Sequence, residues 1–276
     1  MNADNYLTRA EREFVDRNGY FVARGLFSKS EVDEIRDVFM AQSANGPVPG
    51  LSDIRPLSEA VDQTDPLIFY PRMMNPHANP DLPVSEPSRR YMLDHRLYPI
   101  LKELIGDEPA AVQSMFYFKP PKARGQELHQ DNFYLRVKPG TCMAAWIAVD
   151  DVDAENGGMK VVPGSHNLEI ACPKKADTTT SFTIDYVPPP DGFDVVHCDM
   201  KAGDVLFFNG SLIHGSTPNT SETRFRRSLI FHYAPKASAE LSEGYRNPMT
   251  FDGQIVKIPA AVGGGPCGTF VPLSPH

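Results

Sequence analysis

Residues 112–119 read Val-Gln-Ser-Met-Phe-Tyr-Phe-Lys, and they open a series of short runs that favour β-structure. Six more runs follow, separated by Gly, Pro, Asn and Asp: Cys142–Val149, Met159–Pro163, Phe182–Val187, Val195–Met200, Asp204–Phe208 and Arg227–Tyr233. Aromatic and β-branched residues are typical of strands. Many short strands without helices between them indicate a sandwich or barrel and argue against a βαβ sheet. We therefore predict a mainly β protein with flanking helices, whose core, a sandwich or barrel, spans residues 109–235.

Residues 1–108 predict a helical layer in front of this core. Two possible capping boxes, Thr8 with Glu11 and Ser28 with Glu31, mark the beginnings of two helices. The first of these helices ends near Gly19. The second has an apolar face at helical spacing, formed by Val32, Ile35, Val38 and Phe39.

Three further segments complete the organisation of the chain. Phe21–Phe27 favours a short strand, and a helix from near Asp94 to Ile105 has Gly106 in position for its C-terminal cap. Residues 45–87 are rich in Pro, Asn and Asp and show no period, and they are too long for an idle connection, so we predict a lid or substrate loop there. Residues 236–276 are expected to be irregular, and the whole chain, 1–276, to form one domain.

Composition narrows the class of protein. The net charge of -8 argues against a nucleic acid or an anionic membrane surface as partner. No apolar run is long enough to cross a bilayer, and the N-terminus lacks the basic start and apolar region of a secretory signal. The expectation is a cytoplasmic enzyme or binding protein, monomeric or homodimeric, that acts on a small molecule.

The four cysteines are widely spaced and form no CxxC pair: Cys142, Cys172, Cys198 and Cys267. In a cytoplasmic protein this pattern is typical of reduced thiols in the core or on the surface. We therefore expect no disulfide and no zinc knuckle.

The residues that carry chemistry begin with His129-Gln130-Asp131. On a strand, residues i and i+2 point to the same face, so the imidazole and the carboxylate would converge on one ion. A hydrogen-bonded pair on a strand is the simpler reading of this motif alone. His214, which follows the strand Asp204–Phe208, makes a metal site the better interpretation. Two histidines and one carboxylate leave three positions open on iron(II), whereas a structural zinc site is closed by four protein ligands.

A basic residue downstream suggests what fills the open positions. Arg226 lies twelve residues after His214, at the start of the strand that follows. Its planar guanidinium matches the far carboxylate of a keto diacid that chelates the metal, and Ser216 and Ser228 offer hydroxyl groups to the same carboxylate. A solvated arginine in a cluster with Arg224 and Arg227 is the alternative.

These motifs together resemble the phytanoyl-CoA dioxygenase family of iron(II)/2-oxoglutarate-dependent oxygenases. The resemblance runs from the N-terminal helices to about Pro235 and rests on motifs in the family's order. They are Phe118-Lys119-Pro120-Pro121, His129-Gln130-Asp131, Trp146, Asn156-Gly157-Gly158, Pro163-Gly164-Ser165-His166, the His214 segment and Phe225-Arg226-Arg227.

The resemblance implies a jelly-roll core (a double-stranded β-helix, cupin-like) over residues 109–235, and it implies a role for each matching residue. It makes His129, Asp131 and His214 the iron ligands and Arg226 the residue that binds the far carboxylate of 2-oxoglutarate. Further positions that line or approach the cosubstrate are Ser216, Trp146, Lys119 and Gln113. Because the spacing from His214 is slightly longer than the family often shows, Arg224 is an alternative to Arg226. Core packing is the alternative for Trp146, and simple exposure the alternative for Lys119. The Asn-Gly-Gly and Pro-Gly-Ser-His motifs are read as turns that mark the fold.

The implied function is hydroxylation of a small molecule, with iron(II), 2-oxoglutarate and dioxygen as cofactor and cosubstrates and with succinate and carbon dioxide released. The carboxylate of Asp131 disfavours halogenation, since related halogenases leave that ligand position empty. Desaturation, epoxidation and ring formation stay open as alternatives to hydroxylation, because they would use the same oxidising chemistry. Two alternatives of other classes are a metal-binding jelly-roll protein without turnover and a cupin-like zinc or manganese isomerase or hydrolase.

The substrate is the least defined part of the prediction. Residues of the long irregular segment are candidate contacts, together with two beside the metal motif. They are Tyr70, Arg72, Met74, Asn75, His77, Asn132 and Tyr134. Each of them has a surface position as its alternative.

Overall fold

Two antiparallel sheets face each other across an apolar interior in the computed structural model, which describes residues 6–53, 64–245, 247–262 and 267. The larger sheet has six strands, the smaller has four, and a short third sheet has two. No helix among the described residues is long and apolar enough to cross a membrane.

The strands are β1 (Tyr20–Ala23), β2 (Met73–Met74), β3 (Pro109–Tyr117), β4 (Gln126–His129), β5 (Met143–Ala148), β6 (Met159–Val161), β7 (Lys174–Lys175), β8 (Asp185–Tyr186), β9 (Val196–Cys198), β10 (Val205–Asn209), β11 (His214–Ser216) and β12 (Ser228–Pro235). The helices are α1 (Arg9–Asn18), α2 (Lys29–Ala44), α3 (Pro66–Phe69), α4 (Ser85–Met92), α5 (Leu97–Ile105) and α6 (Asn132–Leu135). Two single turns of 3₁₀ helix, Pro76–Ala78 and Ser165–Asn167, are also present. The strand order is β1-β10-β5-β12-β3-β2 in the larger sheet and β4-β11-β6-β9 in the smaller, and β7 pairs with β8 in the third.

The larger sheet is buried on both faces, and this explains why its strands have continuous apolar sequences. On β5, Ala145 and Ile147 face the helices, whereas Ala144 and Trp146 face the smaller sheet. Alternate side chains of a strand point to opposite faces, so a strand covered on both sides needs no polar residues. The prediction of a mainly β jelly-roll core is confirmed.

The helical layer covers the outer face of the larger sheet. Both capping boxes are present, at Thr8 with Glu11 and at Ser28 with Glu31. On α2, Phe39 is fully buried, and its ring stacks on that of Phe116 with 3.9 Å between ring centroids. The other predicted contacts of this face hold as well, since Val32 and Ile35 are buried and Val38 packs against the same core.

The segment 45–87 contains more regular structure than we predicted. Helix α3, strand β2 and a 3₁₀ turn lie within it, and α4 begins before its end. Helix α4 was missed because its sequence, SEPSRRYM, is largely polar, and packing of Tyr91 and Met92 into the core holds it in place. The structure does not describe residues 54–63, so that part of the predicted lid lies outside the described residues.

The strand prediction was wrong in detail at several places. Phe21–Phe27 forms only the strand Tyr20–Ala23, and Phe182–Val187 only the two-residue strand Asp185–Tyr186. Strands β4, β7 and β11 are absent from the predicted runs, because each is only two to four residues long and none carries a β-branched residue. These elements are edge or short strands, where propensity is a weak signal.

The prediction of four reduced cysteines was wrong for two of them. Cys172 and Cys267 form a disulfide between segments that are 95 residues apart in the sequence. Cys142 and Cys198 are free and buried, as expected. The positions of the cysteines in the sequence did not indicate this pairing, because Cys172 and Cys267 come together only in the folded chain.

Candidate metal centre

Two strands of the smaller sheet place two histidines side by side. His129 ends β4, and it pairs in register with His214, the first residue of β11. The register shifts immediately after this pair, and such bulges are frequent beside active sites. Each Nδ1 lies 2.9 Å from a backbone carbonyl, of Glu127 and of Leu212 respectively. Donation from Nδ1 to these carbonyls directs both Nε2 lone pairs to one point, as in metal-binding histidines generally.

Asp131 completes the cluster from a position that we did not predict. It is not on the strand of His129, because β4 ends at that residue and Asp131 has helical dihedrals at the N-cap of α6. Its Oδ1 lies 3.4 Å from Nε2 of His129 and its Oδ2 3.6 Å from Nε2 of His214. Ligand atoms of all three residues, called the triad below, lie within 4.8 Å of one another, and all three residues are buried.

The electrostatics of the triad favour a cation. Burial by itself raises the pKa of Asp131, but the neighbouring His214 and His232 outweigh this effect and hold the pKa well below its usual range. An ionised carboxylate beside two neutral imidazoles is a donor set that suits iron(II). These residues therefore fit a bound iron ion.

A third histidine, which sequence reasoning missed, contacts the triad. His232 lies on β12 and is only 1% exposed, and its Nε2 lies 2.9 Å from Oδ2 of Asp131. Its Nδ1 lies 2.8 Å from Oε1 of Gln113, the residue opposite it on β3. Gln113 therefore reaches the triad only through His232 and does not line the cavity. A lone histidine in an apolar strand carries no motif, so the sequence held no signal for it.

Two buried cations lie beside the triad. Lys119 and Arg226 are each 1% exposed, so the alternatives of a solvent-exposed lysine and a solvated Arg226 do not hold. Nζ of Lys119 donates to Oγ of Ser216 at 2.7 Å and to the carbonyls of Thr217 and Gly157. Arg226 donates from Nε to the same Gly157 carbonyl and from Nη1 to Oγ of Ser228 at 3.0 Å.

The ring of Trp146 forms one wall of this group. The guanidinium of Arg226 lies over the indole, 5.4 Å from its centroid. Trp146 is also packed in the core between the two sheets, so its core position and its position beside Arg226 are compatible. We call Lys119, Arg226, Trp146 and the two serines, Ser216 and Ser228, the cation pocket.

No carboxylate among the described residues accepts a hydrogen bond from Lys119 or Arg226 in the cation pocket; Asp150, whose charge raises the pKa of Arg226, is hydrogen-bonded to Arg227. Every hydrogen bond of Lys119 and Arg226 there goes to a carbonyl or hydroxyl oxygen. Burial lowers the pKa of Arg226 to about 10, and burial together with the charges of Arg226 and Lys160 lowers the pKa of Lys119 well below its usual range. Buried charges are normally paired, so this pocket fits an anionic ligand.

A glycine turn shapes the cation pocket. Gly157 has a φ of +84°, and a Cβ there would lie 2.3 Å from Cδ of Lys119 and 2.9 Å from the Thr217 carbonyl. Its own carbonyl accepts hydrogen bonds from both buried cations. The Asn-Gly-Gly motif is thus a turn, as predicted, and it is also a part of the site.

Arg224, the alternative to Arg226, lies elsewhere. Its guanidinium pairs with Asp153 at 2.8 Å and with Glu155 at 3.0 Å, and its side chain is 37% exposed. It is therefore already neutralised on the surface, whereas Arg226 lies in the cavity wall.

A cavity between the two sheets joins the triad to the cation pocket. It holds about 370 Å³ of empty space that is partly open to solvent. Ser216, Trp146 and Arg226 of the cation pocket line it together with the triad, whereas Lys119 and Ser228 do not. Its other lining residues are Met115, Tyr117, Gln126, Met159, Phe208, Gly215, Ile230 and His232. The walls are largely apolar, with a few polar groups at the metal, at the far end and at Tyr117, as is typical of small-molecule sites.

Part of the predicted substrate segment lies on the cavity side. Met74 is paired with Met115 and packs against the core between the sheets. Arg72 is buried and donates from Nη1 to the hydroxyl of Tyr117 at 2.8 Å, and from Nε to Asp53 at 2.7 Å. Tyr70 instead packs against Phe118 and Phe225.

The other substrate candidates have local partners. Nδ1 of His77 lies 2.6 Å from Oγ of Ser114. Ser114 lies between Gln113 and Met115 on β3, whose side chains face inward, so its own side chain points to the helical layer. Asn75 has left-handed dihedrals and donates its backbone N–H to the Ser114 carbonyl. Asn132 closes the turn after α6 by bonds to Val137, and the Tyr134 hydroxyl donates to Asp185. These four residues do not line the cavity.

The fold and the site define an iron(II)- and 2-oxoglutarate-dependent dioxygenase. The chain belongs to the phytanoyl-CoA dioxygenase (PhyH) family, whose sequence model matches residues 15–228. Phytanoyl-CoA dioxygenase 1 of Oryza sativa subsp. japonica is 27% identical over 262 residues, which cover 86% of this chain and 92% of the rice protein. Human peroxisomal phytanoyl-CoA dioxygenase is 25% identical over 240 residues, covering 84% of this chain and 69% of the human protein.

Solved structures share the fold. The apoform of EctD from S. alaskensis superposes with a TM-score of 0.66 and 21% identity, over 88% of this chain and 82% of that one. SnoK, a non-heme alpha-ketoglutarate-dependent carbocyclase from nogalamycin biosynthesis, gives a TM-score of 0.65 and 21% identity, over 85% and 86% of the two chains. At such identities the likeness shows a common jelly-roll core.

Proposed function

We propose that this protein hydroxylates an unactivated C–H bond of a small molecule. In the balanced reaction, the substrate C–H, dioxygen and 2-oxoglutarate give the substrate C–OH, succinate and carbon dioxide. One oxygen atom enters the alcohol and the other enters succinate, and the oxidative loss of carbon dioxide from the keto acid supplies the two remaining electrons.

The observation that carries this proposal is the uncompensated cation pocket beside the triad. A metal site alone is compatible with storage, hydrolysis or isomerisation. Two buried cations that lack a carboxylate partner among the described residues predict a ligand with negative charge at the far end of the cavity. A keto diacid meets both requirements, because one end chelates a metal and the other pairs with a guanidinium.

Each residue has a proposed role in binding. His129, Asp131 and His214 hold iron, which supplies the redox chemistry with dioxygen when it is bound. Arg226 donates to the far carboxylate of 2-oxoglutarate, while Ser228 and Ser216 hold the two cations in place. Lys119 supplies a second positive charge, and Trp146 covers the guanidinium so that water does not compete for it.

The protein also positions the substrate and limits water. The walls formed by Met115, Met159 and Phe208 are apolar, so a nonpolar part of the substrate, with its C–H bonds, should lie next to the metal. Tyr117, held by Arg72, is a polar group on the same wall and is our candidate for orienting the substrate. Holding the target carbon close to the reactive centre accounts for much of the rate in such reactions.

The decisive experiment is anaerobic titration of the protein with iron(II) and 2-oxoglutarate. Chelation of iron by the keto acid gives a weak visible charge-transfer band, and admission of oxygen with substrate should then release succinate. The variant Asp131→Ala should lose the band and the succinate while unfolding cooperatively like the wild type. Full turnover by Asp131→Ala would refute the assignment of the triad.

The alternatives predict different outcomes in the same titration. A metal-binding protein without turnover would show the band but release no succinate with any substrate. A zinc or manganese isomerase or hydrolase would work without iron and without oxygen. The cytoplasmic location and the monomeric or homodimeric state stay predictions, to be tested by fractionation and by light scattering.

A further inference from the structure

We propose that His232 is a positioning residue for the iron site, which donates from Nε2 to Oδ2 of Asp131 so that the carboxylate offers the metal Oδ1 alone. This inference rests on the proposed function, because it takes the triad as the iron ligands. It concerns a residue outside the triad and explains how one ligand is held in a single mode of binding.

The distances distinguish His232 from the two ligand histidines. Its Nε2 is 2.9 Å from Oδ2 of Asp131, within hydrogen-bond range. Nε2 of His129 lies 3.4 Å from Oδ1 of Asp131, and Nε2 of His214 lies 3.6 Å from Oδ2. These distances are too long for a strong hydrogen bond but suit side chains that bind one ion. His232 is also outside the group of residues whose ligand atoms converge.

The fold holds His232 in this position. Strand β12 is an inner strand of the larger sheet, paired with β3 on one side and with β5 on the other. His232 is 1% exposed, and its neighbours on the strand, Phe231 and Tyr233, are locked in the core on the opposite face. The imidazole therefore has no room to swing away from Asp131.

Gln113 determines which nitrogen of His232 carries the proton. A carboxylate that binds a metal is ionised and only accepts hydrogen bonds, so Nε2 of His232 must donate to it. In the neutral imidazole Nδ1 then accepts, and it needs a donor from Gln113. The amide nitrogen of Gln113 is buried and has no hydrogen-bond partner among the described residues. Exchange of the amide oxygen and nitrogen, which have nearly the same shape, places that nitrogen within hydrogen-bond range of Nδ1 of His232 and gives it an acceptor.

The consequence for the metal is an open coordination position. A carboxylate with two free oxygens can bind a metal through both of them, which would occupy a fourth site. With Oδ2 engaged by His232, the triad uses three positions and leaves three open. A bidentate keto acid and dioxygen need all three.

The test compares metal binding by two variants of His232 and one control. His232→Leu removes the donor, His232→Gln replaces it, and His77→Leu removes a histidine bonded to the opposite face of β3. Cobalt(II) is titrated anaerobically with 2-oxoglutarate present, and both the affinity and the visible spectrum are recorded. We expect His232→Leu to bind cobalt(II) roughly 10- to 100-fold more weakly, with a changed spectrum. His232→Gln should recover most of the affinity, and His77→Leu should match the wild type.

A wild-type measurement covers the case in which His232→Leu fails to fold. The ¹⁵N NMR spectrum of the zinc(II)-loaded protein should show a proton on Nε2 of His232. Protonation at Nδ1 instead would overturn the proposal, as would wild-type cobalt(II) affinity and spectrum in His232→Leu. Failure of the wild type to bind metal would count against the triad itself, and so against the proposed function.

Discussion

Replacement of Arg226 by methionine should weaken 2-oxoglutarate binding far more than substrate binding. The guanidinium is buried, and two of its N–H groups are engaged by Gly157 and Ser228, so other N–H groups remain for a carboxylate. A charge-assisted hydrogen bond contributes roughly 1.5–3 kcal/mol, and a carboxylate would form two of them. Allowing for the charge that Lys119 retains, we expect a loss of about 3–4 kcal/mol, which is roughly 10²- to 10³-fold in affinity.

The assay compares two keto acids of equal chain length. 2-Oxoglutarate has the far carboxylate, and 2-oxopentanoate has a methyl group in its place. The wild type should prefer 2-oxoglutarate strongly in the anaerobic iron(II) titration, whereas Arg226→Met should lose nearly all of that preference. Arg224→Met is the matched control and should behave like the wild type, because Arg224 is already paired with Asp153 and Glu155. An unchanged preference in Arg226→Met, or its loss in Arg224→Met, would refute the assignment.

Three further predictions concern the fold around the site. Gly157→Ala should lower 2-oxoglutarate affinity and the unfolding temperature together, because its Cβ would overlap Lys119 and its φ of +84° disfavours alanine; wild-type values for both would contradict this. Phe39→Ala should reduce the free energy of unfolding by roughly 3–5 kcal/mol in urea titrations, since the ring is fully buried against Phe116, and a loss below about 1 kcal/mol would show that this contact is dispensable. His77 has its pKa lowered to about 4, chiefly by burial, so below pH 6.5 the unfolded chain takes up a proton that the folded chain does not. Stability is therefore greatest above pH 6.5 and falls by about 3 kcal/mol towards pH 4; His77→Asn should remove this part of the loss in urea titrations at the two pH values, and an equal loss in both proteins would disprove it.

The sequence predicts the framework of this protein well because its strongest patterns are local. The capping boxes at Thr8 and Ser28 need only four residues each, and the apolar runs of β5 and β12 follow from burial on both faces. The approach of His129 to His214 was predicted from residue types alone, and the structure brings them together with Asp131.

The remaining features depend on contacts that are distant in the sequence. His232 reaches Asp131 because β12 lies between β3 and β5, where His232 pairs with Gln113 on one side and with Ala144 on the other. Arg224 and Arg226 are both arginines and lie two residues apart, but Arg226 is buried whereas Arg224 is partly exposed. The disulfide between Cys172 and Cys267 joins segments that no local pattern relates.

The inner face of β12 sets a fixed distance between the residue that we propose to bind the far carboxylate and the residue that we propose to hold the iron ligand. Arg226 stands just before the strand, and Ser228, Ile230 and His232 follow on the same face at every second residue. A strand rises about 3.3 Å per residue, and hydrogen bonds on both sides keep its length constant. On the proposed roles of Arg226 and His232, a keto diacid with one carbon fewer or one carbon more should therefore bind more weakly than 2-oxoglutarate, because the backbone fixes the length of diacid that reaches both.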